Sequence, residues 1–104
     1  MLNYKVEFDT LDWVNAGTGI RHKIYKNNNV QLRLIEFSEG LEHPDWCLVG
    51  HTAYILEGRL EICFESFSEV YEPGSALLIP EGESHKHIPR PLSPLVRLFS
   101  VEKS

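Results

Sequence analysis

The chain has 104 residues, 42% of them hydrophobic and 24% charged, the balance of an ordinary globular domain rather than a disordered or fibrous one. Fifteen acidic residues against ten basic ones give a formal net charge of -5, so no positive field exists to attract a phosphate backbone or an anionic membrane. A single domain over residues 1–104 follows; at this length folding buries roughly 60 to 70% of the unfolded surface, a thin margin that a partner subunit would widen.

The N-terminal stretch MLNYKVEFDT has no basic then apolar leader, and the longest apolar runs, 53–56 and 76–80, fall far short of a bilayer span. The expectation is a cytoplasmic protein with no membrane and no nucleic-acid partner, whose Cys47 and Cys63 stay reduced. Residues 8–25 are ambiguous, show no sustained helical period and leave room for one short helix, and Asn27-Asn28-Asn29 marks a turn. Within 1–29, Tyr4, Val6, Phe8 and Trp13 could wrap the outside of the domain or form a dimer contact. From Val30 onward, runs rich in Val, Ile, Leu, Phe and Tyr are punctuated by Gly, Pro and Asn, which predicts strands over 30–37, 51–56, 59–64, 69–71, 76–79, 85–88 and 95–101.

In 59–64, Leu60, Ile62 and Phe64 alternate with Arg59, Glu61 and Cys63, the pattern of a half-buried strand. Leu56-Glu57-Gly58-Arg59 reads as a tight hairpin in which Gly58 supplies a positive φ. Pro73-Gly74, Pro80-Glu81-Gly82 and Pro89-Arg90-Pro91 mark further turns. The spacing predicts a small all-β sandwich or barrel with its core at about 30–101.

Residues two apart on a strand face the same way, so Asp45 and Cys47 can share one face and His85 and His87 another. With His51 these pairs could converge inside a barrel. Carboxylate, thiolate and imidazole all ligate metals, and the thiolate and imidazoles turn preference from Mg²⁺ or Ca²⁺ toward Zn²⁺, Fe²⁺, Ni²⁺ or Cu. His51 and His85 lead as ligands, Cys47 follows, and Asp45 or His87 is the fourth ligand or an orienting partner. His87 has two further readings, a general acid or base near neutral pH, or a solvated residue beside Lys86.

His22 and His43 have no constellation around them and read as surface residues; Trp46 and Tyr54 read as packing or interface aromatics. Arg33, Arg59, Arg90 and Arg97 read as surface charges, although one reaching a barrel mouth would favour a carboxylate or phosphate-bearing ligand. A Gly-rich phosphate loop, a Gly-X-Ser-X-Gly elbow, a Cys-X-X-Cys pair and a His-Glu-X-X-His helix are all absent from the sequence.

Residues 74–85, GSALLIPEGESH, resemble the second signature of the cupin superfamily, G(X)5PXG(X)2H(X)3N, at Gly74, Pro80, Gly82 and His85, with Pro89 in place of the final Asn. Asp45, Cys47, His51 and Gly58 fall where the first signature, HXH(X)3-4E(X)6G, has His, His, Glu and Gly. The resemblance covers roughly 37–101 and is to small single-domain, RmlC-like cupins with a variant first metal motif. It implies a double-stranded β-helix, or jelly-roll barrel. Its cavity would hold one divalent metal ion per chain, Zn, Fe or Ni with Mn also admitted, on His51, His85, Cys47 and Asp45; His87, which stands at no fixed position of either signature, is the candidate catalytic group.

The function so implied is a metal-dependent enzyme on a small metabolite, of isomerase, lyase or dioxygenase type. The alternative is a non-catalytic small-metabolite-binding or sensor protein, with or without metal. Small barrels of this kind leave sheet faces and edges that pairing would cover, so a homodimer is expected.

Overall fold

A computed structural model describes residues 4–42 and 45–103. Its strands run in chain order as β1 (Val14–Gly17), β2 (Ile20–Asn27), β3 (Val30–Ser38), β4 (His51–Glu57), β5 (Leu60–Phe64), β6 (Ser68–Tyr71), β7 (Ala76–Ile79), β8 (His87–Pro91) and β9 (Leu95–Lys103). They form a six-stranded sheet, β1-β2-β3-β9-β4-β7, and a three-stranded sheet, β6-β5-β8, with every pairing antiparallel. This is the all-β jelly-roll barrel that the strand spacing and the two motifs foreshadow. No helix among the described residues is long and apolar enough to cross a membrane.

The core is where alternate residues of both sheets meet. Ile35 from β3, Ile55 from β4, Leu60 and Ile62 from β5, Leu77 from β7 and Leu98 from β9 are all buried, each on the inward-facing set of a period-two strand. The register aligns these sets: Ile35 lies opposite Leu98, and Ile55 also lies opposite Leu98 from the other side. Towards one end of the barrel the same inward rows turn polar, at Arg33 on β3, His51 on β4, and Ser100 and Glu102 on β9.

Four sequence expectations are corrected. The segment 8–25 holds β1 and most of β2, and its helical content is the three-residue 3₁₀ turn Phe8–Thr10. The strand period was there in Ile20, His22 and Ile24 against Arg21, Lys23 and Tyr25, but it is broken after β1 by Gly17 and Gly19, both at positive φ. The N-terminal segment packs on the outer face of the large sheet, with the Phe8 ring edge-on to Phe99 at 5.7 Å and the Arg21 guanidinium 4.1 Å above the Trp13 ring.

The turn at 56–59 does not close a hairpin, because β4 belongs to the large sheet and β5 to the small one. Gly58, at φ 79°, is instead the corner where the chain changes sheets, and a Cβ there would overlap the Leu95 carbonyl oxygen. Pro89-Arg90-Pro91 is not a turn but part of β8; β8 is an edge of the small sheet, where a missing backbone N–H can face away from the ladder. Last, the strand expected over 85–88 begins only at His87, since Glu83–His85 form a 3₁₀ turn in which the His85 N–H donates to the Gly82 carbonyl at 3.1 Å.

Candidate metal centre

That 3₁₀ turn decides which histidine faces inward. The period-two rule that pairs His85 with His87 holds only on a strand, and His85 is not on one. His85 is exposed, whereas His87, the first residue of β8, is 2% exposed and enters the barrel. Its backbone is fixed by two hydrogen bonds with Cys47: the Cys47 N–H donates to the His87 carbonyl at 2.8 Å and the His87 N–H to the Cys47 carbonyl at 3.1 Å. His51 opens β4 four residues further along and turns the same way.

Cys47, His51 and His87 thus each present a ligand atom, and the three atoms lie within 4.8 Å of one another. The Cys47 sulfur is 3.7 Å from His51 Nε2, and the His51 and His87 rings stand edge to face with centroids 5.0 Å apart. His87 Nδ1 is 3.0 Å from the His85 carbonyl oxygen. A carbonyl only accepts, so Nδ1 carries the proton and Nε2 is left with its lone pair. His87 Nε2 is buried and has no hydrogen-bond partner, an arrangement that costs stability unless something binds it. Burial, with the neighbouring His51 adding to it, lowers the His87 pKa below the ordinary imidazole value against the opposing pull of the His85 carbonyl, which keeps the ring in the neutral form a metal requires.

The donor set fits a borderline or soft divalent ion. A tetrahedral centre with bonds of about 2.3 Å to sulfur and about 2.0 Å to nitrogen holds those two atoms roughly 3.5 Å apart, close to the 3.7 Å observed between Cys47 and His51. Thiolate and two imidazoles are the chemistry of Zn, Fe, Ni or Cu rather than of Mg or Ca. Asp45 is exposed and, like His85, stands outside this cluster; His43 lies outside the described residues.

Behind His51 is a group that the sequence did not single out. Ala53 of β4 lies opposite Ser100 of β9, and two further residues along that register bring His51 level with Glu102. His51 Nδ1 lies 3.6 Å from Glu102 Oε2. The Glu102 carboxylate accepts hydrogen bonds from Ser100 Oγ at 2.7 Å, Gln31 Nε2 at 3.0 Å, and Arg33 Nη1 at 3.1 and 3.2 Å to its two oxygens. Burial opposes its ionisation, but His51, Ser100 and Arg33 outweigh that and hold its pKa at about 2. Arg33 Nη2 in turn donates to His22 Nδ1 at 2.8 Å. His22 is therefore a half-buried member of this network and not the free surface residue that the sequence suggested.

The cluster lines a cavity of about 300 Å³, at the small end of the range for ligand sites. Its walls are mostly apolar, including Ile35, Phe37, Leu60, Ile62, Leu77 and Leu98, with Arg33 also on the lining. Arg33 is thus the arginine that reaches the barrel interior, but its Nη groups are committed to Glu102 and His22; its Nε is buried without a partner. Trp46 and Tyr54 are exposed, Trp46 lying beneath the Lys86 ammonium at 5.3 Å. Both cysteines are free.

Solved structures share this architecture. KdgF from Halomonas sp. superposes with a TM-score of 0.77 at 20% identity, over 91% of this chain and 89% of that one. The polyketide cyclase RemF from Streptomyces resistomycificus gives 0.76 at 22% identity, over 98% and 80%. An RmlC-like cupin from Shewanella frigidimarina gives 0.74 at 13% identity, over 98% and 91%. The fold is the cupin fold. No family model and no curated protein sequence matches the chain.

Proposed function

We propose that this chain is a metal-binding cupin that acts as a divalent-metal-dependent enzyme on a small metabolite, of isomerase, lyase or dioxygenase type. The observation that carries the reading is the convergence of Cys47, His51 and His87 within 4.8 Å, with His87 Nε2 buried and unpartnered. A divalent ion held there by three protein ligands would retain an open position and act as a Lewis acid toward a substrate oxygen. The chain's own part is to hold two neutral imidazoles and a thiolate in place and to bind the rest of the substrate. The apolar walls select a molecule largely without charge, with Arg33 Nε–H the remaining donor beside them. RemF, a polyketide cyclase, offers a precedent for this fold as an enzyme.

One observation favours a second reading, a non-catalytic binding protein. Among the described residues, Arg33 is the sole ionisable side chain on the cavity lining apart from the cluster itself, so none of them supplies a separate acid or base beside a bound molecule. Elemental analysis of untagged protein at known concentration tests what both readings share. We expect close to one Zn, Fe or Ni, or Mn, per chain; a protein that carries none and takes up none when offered each ion overturns the metal-dependent function. The two free thiols support a reducing, cytoplasmic setting.

We further propose a homodimer. The outer face of the large sheet exposes Tyr54, Leu56, Leu78 and Val101, with Leu78 82% accessible, an apolar strip of the kind that pairing covers. Sedimentation at micromolar concentration should give twice the chain mass, and Leu78→Glu should shift it to the monomer. A wild-type monomer at that concentration overturns the proposal.

A further inference from the structure

Glu102 belongs to the polar end of the barrel but not to the metal cluster. It is absent from the lining of the 300 Å³ cavity and lines instead a second, more polar cavity of about 600 Å³ together with Asn29, Glu81 and Lys103. His51 lines both. The imidazole thus borders both, as Val49 does, with Nε2 towards Cys47 and Nδ1 towards Glu102. A carboxylate in that place cannot be a ligand to the same ion, but it can accept the proton that a metal-binding histidine must carry on its other nitrogen.

From this we infer that Glu102 is the positioning residue of the site: it fixes His51 in the Nδ1–H tautomer and orients the ring so that Nε2 faces Cys47 and His87. The inference rests on the metal-binding reading above and deepens it. Three features make Glu102 suited to the task. Its side chain is 11% exposed, so it is little hydrated and its attraction for an N–H is undiluted. It is held from two sides, by Gln31 and Arg33 of β3 and by Ser100 of its own strand, so its position does not depend on His51. Its charge is balanced by Arg33, which makes the anion affordable in the barrel interior.

The remaining buried carboxylate of this sheet provides a control. Glu36 is 4% exposed and accepts from Arg21 at 2.7 Å and from Arg97 at 3.0 Å. Its side chain is 5% exposed against 11% for Glu102, and it too is paired with arginine, but no histidine is among its hydrogen-bond partners.

The test uses full-length protein in four forms: wild type, Glu102→Gln, the paired Arg33→Met/Glu102→Met, and Glu36→Gln. The paired variant removes both charges together and so avoids an unpaired buried guanidinium, the outcome most harmful to folding. Two readouts are taken. The first is the tautomer of His51, from the ¹⁵N shifts of its ring in chelator-treated protein at about pH 8, above the ordinary imidazole range. The second is the dissociation constant for Zn²⁺ by competition with a chromophoric chelator.

We expect Nδ1–H in the wild type and its loss in the paired variant. Zn²⁺ affinity should drop about 10- to 100-fold in the paired variant, the usual cost of removing an orienting partner. Glu102→Gln, which keeps an acceptor oxygen without the charge, should fall between, and Glu36→Gln should match wild type in both readouts even where it melts earlier. A paired variant with the wild-type tautomer and affinity overturns the inference and leaves the metal site standing. A wild type that takes up no Zn²⁺, yet whose tautomer depends on Glu102, upholds the positioning role and removes the metal reading instead.

Discussion

Replacing His87 by Ala should abolish metal uptake, while replacing His85 by Ala should leave it at the wild-type level. The contrast is sharp because the two residues are neighbours in sequence and one of them occupies the position of the motif histidine. In the folded chain His87 is 2% exposed, with an unpartnered Nε2 at the cluster, and His85 is exposed on a 3₁₀ turn. Losing one of three protein ligands costs more than losing an orienting partner, so the drop for His87→Ala should exceed about 100-fold, or about 2.7 kcal/mol.

His85 does contribute through its backbone, since its carbonyl accepts from His87 Nδ1; the alanine variant keeps that carbonyl and therefore keeps the tautomer. His51→Ala and Cys47→Ser should behave as His87→Ala does. Dialysis against Zn²⁺ followed by elemental analysis of the variants decides the matter, with far-UV circular dichroism to confirm that each is folded. Loss of metal in His85→Ala together with retention in His87→Ala would move the site back to the motif position and overturn the cluster described above.

The barrel was readable because its strands are short, period-two and separated by Gly and Pro. In β5 the alternation of Leu60 and Ile62 with polar neighbours survives unchanged in the structure. What misled was punctuation without context. Gly58 signals a positive φ correctly, but the same φ serves a hairpin or a change of sheet, and only the pairing of β4 with β9 and β7 decides between them.

At the site, Cys47 and His51 were visible as chemically unusual residues in an apolar stretch, and the structure brings both into the cluster. The sequence places His85 ahead of His87 as a ligand, whereas His87 is the one in the cluster; which of the two faces inward depends on where a strand begins, and a 3₁₀ turn of three residues leaves no periodic trace. Glu102 was invisible for a different reason. It lies 51 positions from His51 in sequence, in a Val-Glu-Lys stretch like any solvated strand end. Its role exists only through the register that sets β9 between β3 and β4.

That register also governs how the fold responds to acid. The metal-free protein should lose on the order of 3 kcal/mol of stability, attributable to Glu102 alone, as the pH falls from about 5 to about 2. The carboxyl has an ordinary value of 4.5 and is held at about 2 in the folded chain; with 1.36 kcal/mol per pKa unit this difference gives the magnitude. The sign follows from which state binds the proton more readily. Below 4.5 the unfolded chain begins to take up a proton that the folded chain still refuses, so the unfolded state gains. The stabilisation is complete above that value and disappears as the folded group titrates.

Other carboxylates titrate over the same range, so the contribution is isolated by difference. Urea unfolding of wild type and Glu102→Gln, both treated with chelator, should show the wild type ahead at pH 6 and that lead shrinking progressively toward pH 2.5. The Gln side chain carries no titrating proton, leaving Arg33 and His51 as the groups it faces in both pH regimes. A lead that stays constant across this range would mean that Glu102 is no more acidic in the folded protein than in the unfolded chain. The hydrogen bonds from Ser100, Gln31 and Arg33 would then be matched by the cost of burying the charge, and Glu102 would hold His51 in place without stabilising the barrel that carries them both.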